Sequence, residues 1–506
     1  MYDYVIVGAG SAGCVLAARL SEEPDVTVCV IEAGPADTSE NIHVPVGSPQ
    51  LFRSHVDWDY DTHLEPYCDG RRMYLPRGRV LGGTSCLNGM VYIRGSRAHY
   101  DAWDQPGWTF DELLPYFKRS EDNERGASAY HGVGGPLSVS DGRSNNPMAR
   151  AFVDAAIEAG YQANDDFNDG DLQGFGFYQV TQRDGRRCSS AVAYLHPSMA
   201  RPHLTVRTNL HVHRVLVENG RAVGVVGSQL DELIEIRAQR EVILAAGAYN
   251  SPQLLLLSGI GPADELAMLG IPVVLDQPEV GQNLQDHTHD FLVYAHSQPV
   301  SLLAANEPQN VQQYAEHGTG PLSSNIPEAG GFAHSRSGLL VPDLQFHVAP
   351  VMFVDGGLAA PTGHGISFGA DVLEARSRGS VSLASAEPTV KPRIRHNYFA
   401  EEADLAAAVA GVRISLEIAA QHALKPFTDH AVEPPASDSE ADLRAHVRRY
   451  SETAYHPAGS CSMGTVVDAE LQVKGIEALR VVDASVMPTV FGNPNAPIIA
   501  IAEKAS

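Results

Sequence analysis

The sequence has no long apolar segment. Its longest uninterrupted apolar runs, such as Val242–Ala246 and Leu254–Leu257, have the length of a strand or of a core segment. A transmembrane helix needs about 20 apolar residues in a row, so the sequence predicts no membrane-spanning helix and no membrane partner. The opening MYDYVIV also lacks the basic and apolar regions of a secretory signal, and we therefore expect a cytoplasmic protein.

Positive charge is also scarce, because 36 Lys and Arg face 61 Asp and Glu, which gives a formal net charge of -25. Nucleic acids and anionic membranes are bound through Lys and Arg, so neither is an expected partner.

Paired cysteines are missing as well. The six cysteines occur singly, with no C-x-x-C pair, at Cys14, Cys29, Cys68, Cys86, Cys188 and Cys461. This pattern predicts reduced thiols and neither a disulfide framework nor a zinc site.

A glycine-rich turn follows the first apolar run of the chain. Tyr4–Val7 precedes the sequence Gly8-Ala9-Gly10-Ser11-Ala12-Gly13, and a helix-like segment and a second apolar run follow it. This order is typical of a dinucleotide site, where glycines let the backbone and a helix N-terminus approach a pyrophosphate. Glu32 and Ala33 end the second run, where a carboxylate accepts hydrogen bonds from ribose hydroxyls and repels the 2′-phosphate of NADP. The loop by itself leaves NAD and FAD open.

Five later segments share a second kind of pattern. Residues 78–101 read GRVLGGTSCLNGMVYIRGSRAHYD and residues 247–261 read GAYNSPQLLLLSGIG. Near the end of the chain are HPAGSCSMG (456–464), LRVVDASVMP (479–488) and GNPNAPIIAIAEKA (492–505). Together with the N-terminal loop, these segments resemble the glucose–methanol–choline (GMC) oxidoreductase family along essentially the whole chain. The resemblance is to the alcohol oxidase and choline dehydrogenase-like branch, which includes aryl-alcohol and hydroxymethylfurfural oxidases.

The patterns and the resemblance together imply an α/β chain with two domains. Nucleotide-type patterns recur at both ends and in the middle, so we expect a discontinuous, Rossmann-like FAD-binding domain of residues 1–155, 205–295 and 450–506. An inserted α+β domain with an antiparallel sheet, residues 156–204 and 296–449, is expected to bind the substrate. We expect a monomer or a homodimer.

The resemblance also implies a bound FAD. Beyond the loop residues named above, the positions expected to bind it are Gly82, Gly83, Thr84, Asn88, Gly89, Val91, Val212, Tyr455, Asp483, Ala484, Asn495 and Pro497. Some relatives tether the flavin through a histidine at the position that Leu87 holds here. Leucine cannot form that bond, so the resemblance implies non-covalent FAD.

Alcohol oxidation needs a base for the hydroxyl proton and an acceptor for a hydride. The flavin N5 atom takes the hydride, and histidine suits the proton because its ordinary pKa is about 6.5. By the resemblance, His456 matches the general base of the family and Asn495 matches the second catalytic position, which is His or Asn among relatives. An amide can bind the alcohol oxygen but cannot take its proton, so the base role falls on His456 alone.

Two other motifs are typical of different chemistry. Asp286–Asp290 (DHTHD) contains metal-ligand residue types, but the resemblance places this stretch near the flavin without a metal. Gly365–Gly369 (GISFG) matches the nucleophile elbow of hydrolases, but no helix start follows it. We therefore expect neither a metal site nor a serine nucleophile.

The expected substrate is a small, uncharged primary alcohol of benzylic, furanic or aliphatic type. The candidate pocket residues are Phe346, Met352, Phe353 and Tyr455. Choline would need an aromatic cage for its quaternary ammonium, and the sequence has 3 Trp and no aromatic-rich cluster beside a carboxylate. An uncharged alcohol is therefore favoured over choline or a sugar.

Dioxygen is the expected electron acceptor, and the products are then an aldehyde and hydrogen peroxide. Three alternatives remain open. The first is an alcohol or choline dehydrogenase that passes electrons to a quinone or dye. The second is a hydroxynitrile lyase that keeps FAD without using its redox chemistry, and the third is an NAD-dependent enzyme.

Overall fold

The computed structural model describes residues 1–230 and 232–506. Its α-helices within these ranges are α1 (Ser11–Leu20), α2 (Glu40–His43), α3 (Arg97–Asp101), α4 (Phe110–Ser120), α5 (Pro147–Glu158), α6 (His196–Ser198), α7 (Gly247–Leu257), α8 (Ala263–Met268), α9 (Pro308–His317), α10 (Glu402–Ala419), α11 (Glu440–Tyr450) and α12 (Asn495–Ala505). Its strands in the first half are β1 (Tyr2–Val7), β2 (Val28–Ile31), β3 (Tyr60–Asp61), β4 (Tyr74–Leu75), β5 (Glu121–Asn123), β6 (Leu137–Asp141), β7 (Gly174–Phe177), β8 (Gln179–Val180), β9 (Gln182–Arg183), β10 (Arg186–Arg187), β11 (Leu204–Arg207), β12 (His211–Glu218), β13 (Arg221–Gln229) and β14 (Glu232–Leu244). The remaining strands are β15 (Ile260–Gly261), β16 (Leu275–Asp276), β17 (Thr288–Ala295), β18 (Ala329–Ala333), β19 (Leu344–Ala349), β20 (Gly365–Val372), β21 (Ser380–Ser382), β22 (Arg393–Arg395), β23 (His430–Val432), β24 (Glu452–Thr453) and β25 (Leu479–Val481).

The first large sheet carries the glycine-rich turn. Its strand order is β11-β2-β1-β14-β13-β12, and β25 pairs with β14. The strands β11, β2, β1, β14 and β25 are parallel neighbours, whereas β13 and β12 continue from β14 as an antiparallel meander. Every residue of β2 is buried, as expected for a parallel strand covered on both faces. The carboxyl ends of β1 and β14 therefore lie at the same edge of the sheet, where α1 and α7 begin.

The second large sheet is antiparallel throughout. Its order is β23-β17-β20-β19-β18-β7, and β24 pairs with β17. Helices α5, α10 and α11 pack against this sheet, and Phe346, Val348 and Phe368 belong to the core between them. Side chains alternate between the faces of a strand, so Gln345 and His347 point away from this core.

These two sheets confirm the predicted fold class, a Rossmann-like domain combined with an α+β domain that carries an antiparallel sheet. The sheets differ from the predicted segments at their ends. The segments 205–295 and 450–506 include β17 and β24, yet both strands belong to the second sheet. Helix α5 begins inside the segment 1–155 and packs on the second sheet as well. Strand pairing joins distant parts of the chain, and local sequence patterns do not show it.

Two further findings concern the membrane and the thiols. Within the ranges that the structure describes, no helix is long and apolar enough to cross a bilayer. All six cysteines are buried and unpaired.

Candidate active site

Three glycines shape the turn between β1 and α1. Gly8 has a φ of +99°, and a Cβ atom there would lie 2.5 Å from the carbonyl oxygen of Ala245. A Cβ atom on Gly13 would lie 1.9 Å from the carbonyl oxygen of Gly8. Gly10 is the N-cap of α1 and contributes no capping side chain to the amides of the first turn. The N-terminus of α1 is therefore open toward the groove that Gly8, Gly10, Ser11 and Ala12 line.

The loop at Gly82 and Gly83 packs directly on this turn. Both residues have positive φ values, +91° and +54°. A Cβ atom on Gly83 would lie only 2.6 Å from the Cα atom of Gly10. Glycine is therefore required for the two backbone segments to approach each other so closely.

Arg187 holds the continuation of this loop, a role that the sequence analysis does not assign. Its guanidinium donates to the carbonyl oxygens of Ile42 at 2.9 Å and Asn88 at 2.7 Å, and to Asn88 Oδ1 at 2.8 Å. It also donates to Ser48 Oγ at 2.6 Å. Burial lowers the pKa of Arg187 to about 10. Asn88, predicted as a cofactor ligand, is thus fixed at its oxygen end.

Two buried carboxylates line the groove. Glu32 accepts hydrogen bonds from the amides of Gly34 at 2.9 Å and Ala9 at 3.1 Å, and burial raises its pKa to about 7. Asp483 accepts from the amide of Gly247 at 2.8 Å and, through the same oxygen, from a serine hydroxyl. Burial raises the pKa of Asp483 as well. The chain itself therefore fixes both acids beside the groove.

A second cavity adjoins this groove. Residues that line both are Ser11, Arg77, Thr84, Pro494 and Ile498. Of the predicted cofactor residues, the groove is also lined by Gly8, Gly10, Ala12, Glu32, Ala33, Gly83, Val212, Asp483 and Ala484. The second cavity is lined by Asn88, Gly89, Val91, Tyr455 and Asn495. Gly13, Gly82 and Pro497 line neither the groove nor the second cavity. Gly13 and Gly82 can therefore act only through the packing of their backbone.

His456 lies in the second cavity and is 9 % exposed. Its backbone amide donates to Asp286 Oδ1 at 2.7 Å. Its Nδ1 atom lies 3.0 Å from Nδ1 of His287, and its Nε2 atom lies 3.2 Å from Nδ2 of Asn493. Both ring nitrogens of His456 are therefore in hydrogen-bond contact with defined neighbours.

Asn493, and not Asn495, contacts the His456 ring. Asn495 is the first residue of α12, and its Oδ1 atom accepts a hydrogen bond from Ser11 Oγ at 2.7 Å, which joins α12 to α1. The sequence Asn493-Pro494-Asn495 places two asparagines two positions apart. The sequence analysis assigned the second catalytic position to the later one, whereas the geometry places the amide of the earlier one against the histidine.

A chain of hydrogen bonds determines where the proton of His456 resides. The Val490 carbonyl can only accept, so His287 Nε2 donates to it at 3.4 Å and His287 Nδ1 is left as an acceptor. His456 Nδ1 therefore carries the proton between the two rings. In the neutral imidazole, Nε2 of His456 then keeps its lone pair.

The other end of the chain leads to the same assignment. The Tyr178 hydroxyl donates to the Phe346 carbonyl at 2.6 Å, so it accepts from Gln345 Nε2 at 3.5 Å. Gln345 Nε2 also donates to Asn493 Oδ1 at 2.8 Å, which turns Asn493 Nδ2 toward His456. A donor on that side requires a lone pair on His456 Nε2.

Burial keeps the imidazoles of His287, His289 and His456 neutral. Burial, and then the neighbouring His287, hold the pKa of His456 well below its ordinary range. Burial also lowers the pKa of His287, and it lowers the pKa of His289 to about 4. His456 is therefore a neutral imidazole whose Nε2 lone pair accepts from Asn493, at the wall of the cavity that both residues line.

The antiparallel sheet supplies one wall of this cavity. Phe353 and Tyr455, both predicted, line it, whereas Phe346 lies in the core on the opposite face and Met352 lies outside the lining. Alternate residues of a strand face opposite sides, so Phe346 faces the core and the next residue, His347, faces the cavity. Lining residues that the sequence analysis missed are His289, Phe291, His347 and Asp371.

Asp286 anchors the backbone of the base. Its Oδ1 atom accepts from the amides of His287 and His456 at 2.9 and 2.7 Å. Its Oδ2 atom accepts from the hydroxyls of Tyr398 at 2.5 Å and Thr453 at 2.6 Å. All of its bonds are to the protein, so this aspartate positions His456.

Two further segments, Asp286–Asp290 and Gly365–Gly369, carry the motifs that are typical of metal sites and of hydrolases. Within residues 1–230 and 232–506, no group of three His, Cys, Asp or Glu side chains is arranged to hold a metal ion. The segment Gly365–Gly369 lies inside β20 and does not form a strand-to-helix turn.

Comparisons with known proteins point to one family along most of the chain. The GMC oxidoreductase family models match residues 2–289 and residues 375–502. An alcohol dehydrogenase (acceptor) of Pseudomonas putida is 43 % identical over 100 % of this chain and 95 % of its own length. The mitochondrial choline dehydrogenase of Mus musculus is 43 % identical over 100 % of this chain and 89 % of its own length.

Solved structures show the same similarity. Pyridoxine 4-oxidase from Mesorbium loti has a TM-score of 0.91 and 32 % identity, covering 100 % of this chain and 98 % of its own. A formate oxidase of Aspergillus oryzae has a TM-score of 0.92 and 29 % identity, covering 100 % and 97 %. The chain therefore belongs to the GMC oxidoreductase family of FAD-binding flavoenzymes, which act on CH–OH donors.

Proposed function

We propose that the chain oxidises an uncharged primary alcohol to an aldehyde and passes the electrons to dioxygen, which becomes hydrogen peroxide. The observation that carries this proposal is the Nε2 lone pair of His456, at the wall of a cavity that shares five lining residues with the dinucleotide groove. Bound FAD supplies the hydride acceptor for such a reaction.

The residues of the groove fit FAD. Gly10 and Gly83 leave no side chain between the two backbone segments, and the N-terminus of α1 is uncapped beside them. Glu32 presents a carboxylate at the position where a ribose is bound, because its oxygens are held by backbone amides at the carboxyl edge of β2. We assign the pyrophosphate to the α1 turn and the ribose to Glu32.

The non-covalent state of the cofactor is part of the proposal. Leu87 lines the second cavity and has no nucleophilic atom. Acid precipitation of the purified protein is expected to release the flavin into the supernatant. A yellow pellet would contradict this assignment.

His456 and Asn493 divide the work on the substrate hydroxyl. His456 Nε2 takes the proton, while Asn493 Nδ2 donates a hydrogen bond to the alcohol oxygen and holds it beside the base. The proton that His456 gains is accommodated because its other nitrogen already donates to His287 Nδ1. Positioned general bases contribute about 10²–10⁴-fold to rate.

A dehydrogenase that uses a quinone or dye is the second candidate. The names of the Pseudomonas putida and Mus musculus relatives, an alcohol and a choline dehydrogenase, favour it. The names of the two structural relatives, both oxidases, favour dioxygen. The two pairs of names therefore favour different electron acceptors.

One experiment tests substrate and acceptor together. The holoenzyme is mixed anaerobically with a panel of alcohols, choline included, and flavin absorbance is followed at about 450 nm. We expect bleaching by uncharged primary alcohols, and hydrogen peroxide when air is admitted. Bleaching that persists in air but is reversed by a quinone would support the dehydrogenase. Flavin that stays oxidised with every alcohol would overturn the proposal and favour a non-redox lyase.

A further inference from the structure

Ile326 lines the cavity that contains His456 and has an unusual backbone conformation. Its φ is +75°, and within residues 1–230 and 232–506 it is the one β-branched residue with a positive φ. Branched side chains are strongly disfavoured at positive φ, and a residue that precedes a proline, as Ile326 does, normally has a negative one. Conformations of this kind persist where the surrounding structure imposes them, and they cluster at active sites and ligand-binding sites.

Hydrogen bonds on both sides of Ile326 hold this conformation. The amide of Ile326 donates to Ser324 Oγ at 3.1 Å, and Ser324 Oγ donates to Oε1 of the buried Glu328 at 2.5 Å. The amide of Glu328 donates back to the carbonyl oxygen of Ile326 at 2.9 Å. Asn325 Nδ2 donates to the carbonyl oxygen of Gly89 at 2.8 Å. These bonds fix the turn at residues 324–328 and tie it to the loop at Gly89.

The side chain of Ile326 contributes little to the core. It is partly buried, and within the described ranges it belongs to no cluster of packed apolar side chains. The neighbouring Pro327, by contrast, packs on the loop at Gly89, where a Cβ atom would lie 2.8 Å from Pro327 Cγ. Core packing therefore does not explain why a branched side chain is held at this strained position.

A smaller residue would suit the backbone at position 326 better. Glycine and asparagine are the usual residues at positive φ, and either would occupy less of the cavity. The sec-butyl group of Ile326 instead lines the same cavity as the rings of Phe291, Phe353 and Tyr455. An alkyl branch on a bound alcohol would compete with Ile326 for this space.

We propose that Ile326 is a specificity-determining residue, which limits the bulk that a substrate alcohol can carry beyond its carbinol. This proposal rests on the proposed function and narrows its substrate class to flat or unbranched primary alcohols. A flat ring packs beside Ile326, whereas a tert-butyl group on that ring meets the Ile326 side chain. The strained backbone at this residue keeps the side chain in place.

Anaerobic flavin reduction of the holoenzyme tests this role. The substrates are benzyl alcohol and its meta- and para-tert-butyl derivatives, and we expect the wild type to reduce its flavin faster with benzyl alcohol than with either derivative. In Ile326→Ala and Ile326→Gly, the ratio of specificity constants is expected to shift toward at least one of the derivatives by about 10- to 100-fold. The exposed Leu340 provides the matched control, and Leu340→Ala is expected to keep the wild-type ratio.

Thermal unfolding of the same variants tests the strain separately from the activity. Alanine and glycine both remove the branched side chain, but only glycine accepts a positive φ without strain. We therefore expect Ile326→Gly to have a higher Tm than Ile326→Ala at equal flavin content. At Leu340, whose φ is not positive, the order is expected to be reversed, with Leu340→Gly below Leu340→Ala.

The outcomes separate this proposal from the function on which it rests. A ratio that is unchanged in both Ile326 variants, with benzyl alcohol still reducing the flavin, overturns the specificity role alone. An equal loss on every alcohol in both variants also overturns it, because it indicates a structural role. A lower Tm for Ile326→Gly than for Ile326→Ala contradicts the strain on which the proposal depends. Flavin that stays oxidised with every alcohol overturns the proposed function and this role with it.

Discussion

His456 uses one ring nitrogen, and neighbouring side chains determine which one. Two backbone carbonyls, of Val490 and Phe346, end the chain of hydrogen bonds through His287, His456, Asn493, Gln345 and Tyr178. Because a carbonyl can only accept, the direction of every bond between them is determined. The lone pair of His456 Nε2 is therefore directed at Asn493 Nδ2, and in the proposed reaction the alcohol hydroxyl takes the place of that amide N–H at the imidazole.

The base assignment predicts the behaviour of His456→Ala. This variant is expected to retain FAD but to lose about 10²–10⁴-fold in the rate of flavin reduction by an alcohol. Stopped-flow absorbance measures the rate, and the ratio of flavin to protein absorbance serves as the control for cofactor content. Near-normal reduction in a variant with full flavin content would refute the base role.

The two neighbouring asparagines are expected to differ. Asn493→Ala removes the donor beside His456 Nε2 and is expected to slow flavin reduction by about 10- to 100-fold, with FAD content unchanged. Asn495→Ala removes the bond from Ser11 that joins α12 to α1, so its main effect is expected on FAD retention and Tm. If Asn495→Ala slows reduction more than Asn493→Ala at equal flavin content, the assignment of the amide to Asn493 fails.

At the scale of single elements, loops form much of the groove proposed for the cofactor, and strands form one wall of the cavity proposed for the substrate. The α1 turn and the loop at Gly83 approach each other through bare backbone. In β17, His289 and Phe291 line the cavity, whereas Leu292 lies in the core and Asp290 is buried on that same face. The strand thus carries polar groups on both faces. His289 lines the cavity, whereas Asp290 is buried on the opposite face, toward the core.

The loop contact is tested by Gly83→Ala. The added Cβ atom would lie 2.6 Å from Gly10 Cα, in a residue with positive φ, so the loops must separate. We expect a loss of about 1–3 kcal/mol in stability and a lower flavin content after purification. Gly142→Ala is the matched control, because nothing lies within 4 Å of a Cβ atom at that position. Full flavin content in Gly83→Ala would contradict a cofactor site at this contact.

The core face of β17 predicts a dependence of stability on pH. Asp290 accepts a hydrogen bond from the Ser451 hydroxyl at one oxygen and has no partner at the other. Burial raises its pKa to about 7. Above its ordinary pKa the unfolded chain releases this proton while the folded chain still holds it, so the folded state loses stability as pH rises toward 7.

Asp290→Asn removes this titration. We therefore expect its stability relative to the wild type to increase between pH 5 and pH 8, on the order of 2 kcal/mol. Thermal unfolding of both holoenzymes at the two pH values measures the difference. A shift in Tm that is the same at pH 5 and pH 8 would show that Asp290 does not carry the expected proton.

For the whole molecule, the features that could be predicted from the sequence are those that depend on local patterns. The Gly8–Gly13 turn, Glu32 and the neighbourhood of His456 are read from contiguous segments, and the structure brings all three to one groove and the cavity that adjoins it. The family and the fold class followed from the same segments. For the amide beside His456 the sequence offers two identical residues two positions apart, Asn493 and Asn495, and the hydrogen bond from Asn493 to the imidazole is visible only in the structure.

Features that depend on strand pairing could not be predicted. Phe346 was predicted for the pocket, but alternate residues of β19 face opposite sides, so Phe346 packs in the core while the neighbouring His347 lines the cavity. Asp371 becomes a cavity residue only through the pairing of β20 with β17 and β19. Arg187 supports a loop that is distant in sequence. In each case a tertiary contact decides the role of the residue.

A crystal structure of the FAD-loaded protein with a bound alcohol or alcohol analogue tests the central claim most directly. Such a structure locates the cofactor at the first sheet and the alcohol at the second sheet in one experiment. We expect His456 Nε2 and Asn493 Nδ2 both within about 3 Å of the alcohol oxygen, with the carbinol between them and the flavin. An alcohol oxygen bound away from His456, with other side chains between it and the imidazole, would contradict the base role of His456.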